Sequence, residues 1–241
     1  MKMNVEQILK DYEQDGVVRV KQLLSGEEVR TVRSEIANYA RDIAPHLEPS
    51  EVTFEADGKS ARNLWRMEKH SAFFDKVSRK PEIIDLIRRL VRGEPVTLGV
   101  ETFSKPARIG SGVPPHQDNA YFCQTPPDVL TVWIAMDAAT EANGPVLYAR
   151  GSHKRGVLPH KASGVRGNSM GLAEKFVCVD PFIGVLEPGD ALIHHCQTIH
   201  YSEPNRTESP RCGFLLVYRG VHTQIDPVLK SIYESARALV S

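Results

Sequence analysis

The chain has 241 residues, and 30 Lys and Arg balance 30 Asp and Glu, so its formal net charge at pH 7 is zero. With no long basic run it lacks the electrostatic footprint of a nucleic-acid or anionic-membrane binder, and a small-molecule partner is expected. It has no apolar run of about 18 residues, an acidic opening "MKMNVEQILKDYEQDG" and four scattered cysteines, Cys123, Cys178, Cys196 and Cys212. These features predict buried, reduced thiols in a cytoplasmic protein without signal peptide or membrane anchor.

The length suits one domain. Val5, Ile8, Leu9 and Tyr12 mark a helical face that ends at Gly16, and "VVRV" then alternates as a short strand. Ser25 with Glu28 forms a capping-box signature ahead of the stripe Val29, Val32, Ile36, Ala40 and Ile43. Phe73, Phe74 and Val77 precede Pro81, after which Ile83, Ile84, Ile87, Leu90 and Val91 recur at helical spacing until Gly93. Residues 1–93 therefore read as mainly helical. Residues 94–221 read as a β core of short strands broken by Gly, Pro, Asn and Asp: "PVTLGVETFS", "DVLTVWIAMDAA", "PVLYARGS", "GVLEPGDALIHH", "TIHYSEP" and "RCGFLLVYRG". Such a pattern belongs to a sandwich or barrel. "NGP" at 143–145 reads as a hairpin turn, and Gly189-Asp190 as the turn that launches "ALIHH". Residues 222–241 predict a closing helix capped by Asp226 and Pro227, with Val228, Leu229, Ile232, Tyr233, Ala236 and Leu239 on its apolar face.

The chemistry concentrates in "PPHQDNAYF". If this stretch is extended, His116 and Asp118 project to one side while Gln117 looks away. Two histidines and a carboxylate form a facial triad that leaves positions open on iron(II), so a third ligand is sought among His153, His160, His194, His195 and His200. His153 sits in a turn and His160 in a Gly-rich loop, both poorly placed for a rigid site. Thr198, His200 and Ser202 share one strand face. If "TIHYSEP" and "RCGFLLVYR" pair as a hairpin, Arg211 returns to the level of Ser202 and His200. A guanidinium beside a hydroxyl suits the far carboxylate of a diacid whose other end chelates iron, which points to 2-oxoglutarate.

"HQD", "LTVWIAMDAATEANGPVLYARGSHK", "PGDALIHH" and "IHYSEPNRTESPR" together resemble the phytanoyl-CoA dioxygenase family of iron(II)/2-oxoglutarate oxygenases, and "YEQDGVVRVKQLLSGEEV" resembles its opening. The resemblance implies a mainly β fold with flanking helices around a double-stranded β-helix, the jelly-roll or cupin-like core. It implies His116, Asp118 and His200 as catalytic iron ligands, with Arg211 and Ser202 on 2-oxoglutarate and O2 as co-reactant. Thr131 and Trp133, on one face of "LTVWIAM", and Phe103, with Lys105 before the HxD strand, are added as cosubstrate-binding candidates. His194 and His195 read as packing or supporting residues and Tyr148 as core. The implied activity is hydroxylation of a C–H bond with release of succinate and CO2. A cupin-like metalloenzyme of another reaction type and a non-catalytic 2-oxoglutarate-binding protein are the alternatives. Residues 153–175, with Lys154, Arg155, Lys161, Arg166 and Lys175, read either as a lid or as a solvated loop. Arg62, Arg66 and Lys69 form a second basic cluster, and both clusters point to a polar or anionic substrate unless they are merely solvated.

Overall fold

The structure, a computed structural model, describes residues 4–165 and 168–238, so Arg166 and Leu239 lie outside the described residues. Helix α1 (Val5–Asp15) starts where Asn4 accepts the Gln7 amide, and it passes through Gly16 into β1 (Val17–Val20). Helix α2 (Gly26–Asp42) opens on the expected capping box: Ser25 Oγ accepts from the Glu28 amide and the Glu28 carboxylate accepts from the Ser25 amide. Next come β2 (Val52–Phe54), β3 (Ala61–Leu64), α3 (Met67–His70), α4 (Ala72–Ser78) and α5 (Pro81–Leu90). The β2–β3 hairpin departs from the helical expectation. Its strands are too short to carry an alternation, and pairing of β3 with β4 holds them extended.

The remaining elements are β4 (Pro95–Lys105), β5 (Val113–His116), α6 (Asn119–Phe122), β6 (Gln124–Thr125), β7 (Val129–Ala135), β8 (Leu147–Tyr148), β9 (His160–Val165), β10 (Asn168–Leu172), β11 (Phe182–Ile183), β12 (Ala191–His195), β13 (His200–Ser202), β14 (Arg211–Gly220), β15 (Gln224–Ile225) and α7 (Pro227–Ala238). A seven-stranded sheet in the order β1-β12-β7-β14-β4-β3-β2 faces a four-stranded sheet, β11-β8-β13-β5, as the two walls of a jelly roll. All seven residues of β7 are buried because both faces of that sheet are covered. Leu130, Val132, Ile134, Phe214, Leu216 and Tyr218 point outward into a core with Ile8, Val29, Tyr39, Phe74, Ile83 and Ile87 of the helices. Thr131, Trp133, Arg211 and Leu215 point inward, toward the smaller sheet.

Two connections differ from the sequence reading. Strand β7 pairs with β12 and β14, and β8 pairs with β11 and β13, so "NGP" carries the chain from one sheet to the other instead of turning a hairpin. Gly144 (φ +74°) passes so close to the Glu203 carbonyl that a Cβ would overlap it. Likewise β13 pairs with β5 and β8 whereas β14 pairs with β4 and β7, so Arg211 meets Ser202 across the sandwich and not along a hairpin. Asn205 organises that crossing: its Nδ2 donates to the Lys105 and Ser209 carbonyls and its Oδ1 accepts from the Thr207 amide and hydroxyl. The Gly189-Asp190 turn stands as expected, with Asp190 accepting the Gln22 and Glu187 amides. Helix α7 is capped by Asp226, but Val228 and Ile232 face solvent and only Leu229, Tyr233 and Ala236 of its described stripe are partly covered. Cys123 and Cys196 are buried, while Cys178 and Cys212 are only partly so.

Candidate active site

Between the two sheets lies a cavity of about 610 Å³ lined by His116, Asp118 and His200 and, further along, by Phe103, Trp133, Ser202 and Arg211. His116 ends β5 directly opposite His200 of β13, so backbone pairing sets the two rings with centroids 4.1 Å apart. Asp118 is not on the extended strand that the i, i+2 argument assumed. The chain turns helical there (φ −58°, ψ −34°), and the carboxylate enters from the start of α6. His116, Asp118 and His200 each offer a ligand atom within 4.8 Å of the others, and among the described residues no other three His, Cys, Asp or Glu side chains gather this way.

The surroundings fix each member. Nδ1 of His116 lies 2.9 Å from the Pro114 carbonyl and Nδ1 of His200 lies 2.9 Å from the Thr198 carbonyl, so the protons sit on Nδ1 and the Nε2 lone pairs face one another's hole. Burial pushes both imidazoles down to about 4, keeping them neutral, and hence able to bind a metal, at pH 7. Burial alone would raise the Asp118 carboxyl, but the imidazoles, His200 foremost, become cations once the pH falls below about 4 and with the His194 hydrogen bond hold the group well below the usual carboxylate range. Asp118 Oδ2 accepts from Thr131 Oγ1 at 3.1 Å and from His194 Nε2 at 3.2 Å, and Oδ1 accepts from the Tyr121 hydroxyl. His194 can donate through Nε2 because its Nδ1 takes the Tyr148 hydroxyl proton at 3.2 Å.

At the other end Arg211 is almost fully buried, and its Nε and Nη1 have no hydrogen-bond partner. Its guanidinium stands 5.1 Å from the Trp133 ring, and Gly213 on the same strand face leaves the indole its space, since a Cβ there would overlap it. Lys105, paired with Arg211 in register, donates to Ser202 Oγ at 2.7 Å and to the Glu203 carbonyl. Burial, with Arg211 and Arg62 nearby, pulls its amine down to about 6. Buried donors without acceptors are costly, so Arg211 could take an anion that the described residues do not provide. The donor set therefore fits both groups the sequence implied: a divalent metal on two neutral imidazoles and a carboxylate, and a diacid whose far carboxylate meets Arg211.

His116, Asp118, His200, Ser202, Arg211, Thr131, Trp133 and Phe103 all line this cavity, but not all in the expected way, and Lys105 stands behind the lining on Ser202. Thr131 spends its hydroxyl on Asp118, Trp133 supports Arg211, and Phe103 stacks under the Arg62 guanidinium at 5.2 Å. His153 and His160 stay outside; His160 accepts the Gln117 amide, and the Gln117 side chain ties the 156–158 loop to Gln197. His195 packs on Tyr12 and His153. The basic clusters disperse: Lys154, Arg155, Lys161, Lys175, Lys69 and Arg66 are solvent-exposed, Arg62 is buried against Glu55 and the Gly112 carbonyl, and of these described residues Arg66 alone lines the cavity. Strands β9 and β10 pair antiparallel, and β9 reaches the cavity through Val165. Sequence reasoning missed Tyr121 and Glu101, and it placed Tyr148 in the core without its bond to His194. Tyr121 was within reach: three residues after Asp118, it shares a helical face with it once α6 is recognised.

The protein-family model described as "Phytanoyl-CoA dioxygenase (PhyH)" matches residues 12–213. A probable alpha-ketoglutarate-dependent hypophosphite dioxygenase of Stutzerimonas stutzeri is 27% identical, covering 87% of this chain and 76% of that protein. L-proline trans-4-hydroxylase of Streptomyces griseoviridis is 26% identical, covering 90% and 87%. Among solved structures, EctD from S. alaskensis with 2-oxoglutarate and 5-hydroxyectoine superposes with a TM-score of 0.75 over 91% of this chain and 77% of that one; at 18% identity this is a likeness of fold.

Proposed function

The chain belongs to the phytanoyl-CoA dioxygenase family, and on that premise we propose that it is an iron(II)- and 2-oxoglutarate-dependent dioxygenase that hydroxylates a C–H bond of a polar small molecule. His116, Asp118 and His200 would hold the iron, and Arg211 would hold the distal carboxylate of 2-oxoglutarate. The observation that carries this reading is the pairing, in one cavity, of a buried two-histidine, one-carboxylate triad with a buried guanidinium whose Nε and Nη1 have no partner. A metal site alone would not need Arg211.

Iron(II) with 2-oxoglutarate and O2 supplies the oxidising chemistry: the cosubstrate becomes succinate and CO2, one oxygen atom entering succinate and the other the substrate as hydroxyl. The residues do the positioning. Hydrogen bonds from Thr131, Tyr121 and His194 keep Asp118 ionised and fix its orientation. The carbonyls of Pro114 and Thr198 hold the two imidazoles in the tautomer that presents Nε2. Trp133 lies against the Arg211 guanidinium, and Lys105 with Ser202 completes the polar floor beside it. Asp118 would be the carboxylate ligand beside the two imidazoles, and its presence there favours hydroxylation as the outcome.

Anaerobic titration of the iron(II)-loaded protein with 2-oxoglutarate tests the reading. A visible charge-transfer absorption band is expected in the wild type and not in His200→Ala. Absence of the band in protein that has bound iron would overturn the reading in favour of a metalloenzyme of another type.

A further inference from the structure

The cavity extends beyond what a metal ion and a short diacid fill, and this remaining part is lined by two ionisable side chains, Glu101 and Arg66, that make no hydrogen bond or ion pair with the described residues. Alternation along β4 puts Gly99, Glu101, Phe103 and Lys105 on its inner face. At a rise of about 3.3 Å per residue, Glu101 lies about 13 Å along the strand from Lys105. Its side chain leans back over Gly99, where a Cβ would stand 3.2 Å from Glu101 Oε1. Gly99 is level with Val217, Val217 with Thr131, and Thr131 bonds Asp118. The Glu101 carboxyl therefore sits at the level of the triad, on the wall beside it.

The Glu101 side chain makes no hydrogen bond or salt bridge with any described residue. Burial, then Asp118 and Glu68, push its carboxyl up to about 8, while Arg66 acts in the opposite direction. Arg66, solvent-exposed at the cavity mouth, has a side chain that makes no hydrogen bond or salt bridge with the described residues, on a left-handed backbone (φ 57°) that residues other than glycine seldom adopt. The two side chains are thus coupled electrically but stand too far apart to pair directly. Trp65, Tyr121 and Phe122 supply aromatic wall around them, a surface suited to an ammonium group.

We propose that the substrate is a zwitterion of the amino-acid type, its ammonium on Glu101 and its carboxylate on Arg66, with its remaining carbons reaching the triad. This rests on the dioxygenase reading above and narrows it from a polar molecule to one carrying both charges. With its carboxyl at about 8, Glu101 is mostly protonated in the empty cavity at pH 7, and an arriving ammonium favours the carboxylate, whereas a purely anionic substrate would meet the Asp118 charge with no cation of its own.

The test uses the full-length protein loaded anaerobically with iron(II) and 2-oxoglutarate, and probes it by calorimetry with the protein amino acids, their N-acetyl derivatives, the matching 2-hydroxy acids and the decarboxylated amines. At least one amino acid is expected to bind and to stimulate succinate release once O2 is admitted. Its N-acetyl and hydroxy counterparts should bind roughly 10- to 100-fold more weakly, the span of a lost charge-assisted bond. Glu101→Gln should weaken the amino acid by the same factor while the 2-oxoglutarate charge-transfer band forms as before. Arg66→Ala should weaken the amino acid but not its decarboxylated amine. Binding confined to amine-free acids, or equal affinity in wild type and Glu101→Gln, overturns the proposal. Failure of the wild-type band overturns the dioxygenase reading instead, and calorimetry with the same compounds still decides whether Glu101 and Arg66 hold a zwitterion.

Discussion

At the triad end of the cavity each side chain already has its partners, whereas at the Arg211 end two buried N–H groups have none. His116 and His200 are oriented by backbone carbonyls and Asp118 by three donors, all from the chain itself. Arg211 has Trp133 beneath it and no acceptor for Nε or Nη1. The difference follows from what each end awaits. Neutral imidazoles facing a carboxylate tolerate one another before a cation arrives, so that end can be assembled in advance. An anion site offers donors, and every donor satisfied internally would be one lost to the ligand. Leaving Arg211 unpaired costs about 1–3 kcal/mol for a buried polar group and more for a charged one, and on the proposed reading the 2-oxoglutarate carboxylate offsets it.

Substitutions at each end sharpen or break this contrast. The largest effect is expected for Asp118→Ala, which removes the only carboxylate of the triad: succinate formation, followed by mass spectrometry, should fall more than about 100-fold. Near-normal turnover in that variant would remove Asp118 from the ligand set. For Arg211→Ala the 2-oxoglutarate KM should rise roughly 10- to 100-fold with iron(II) affinity unchanged. Parallel loss of iron affinity would show that the two ends are one coupled unit. Tyr121→Phe, which deletes one donor to Asp118, should weaken iron(II) binding about tenfold in a competition assay while sparing the 2-oxoglutarate KM. An unchanged iron affinity would mean the remaining donors orient Asp118 unaided.

The smallest effect is a pH dependence. With its amine lowered to about 6, Lys105 is neutral at pH 7 to 8 in the empty cavity. A carboxylate arriving beside it favours the charged form, so 2-oxoglutarate binding should take up protons, and affinity should decline as pH rises above about 6. Calorimetry in buffers of different ionisation enthalpy reads the uptake. Lys105→Met should abolish it, and a wild-type protein that takes up no protons would contradict the assignment.

Much of this arrangement was legible from local signals. The capping box at Ser25 and Glu28, the strands around Trp133 and Phe214, the turn at Gly189 and the Asp226 cap depend on residues within a few positions of one another, and each formed where the pattern placed it. The hairpin of β2 and β3 was not legible, because strands of three and four residues owe their conformation to β4. The extended reading of "HQD" brought His116 and Asp118 together for the wrong reason: the residues converge, but through a helical turn at Asp118 that also delivers Tyr121.

The sequence by itself determined which side chains could matter: an HxD pair, a histidine after a β run, and an arginine at the head of another, because chemistry of that kind is limited to a few residue types. Only the tertiary structure decided how they meet. His200 and Arg211 lie in opposite sheets, the row His194, Thr131, Val217 and Gly99 sets the level of Asp118 and Glu101, and Arg62 is a buried wall while Arg66 faces the cavity. The reason is physical. Alternation and caps act over a few residues, whereas the sheet a strand joins, and the acceptor a buried donor is left without, depend on what packs across the sandwich.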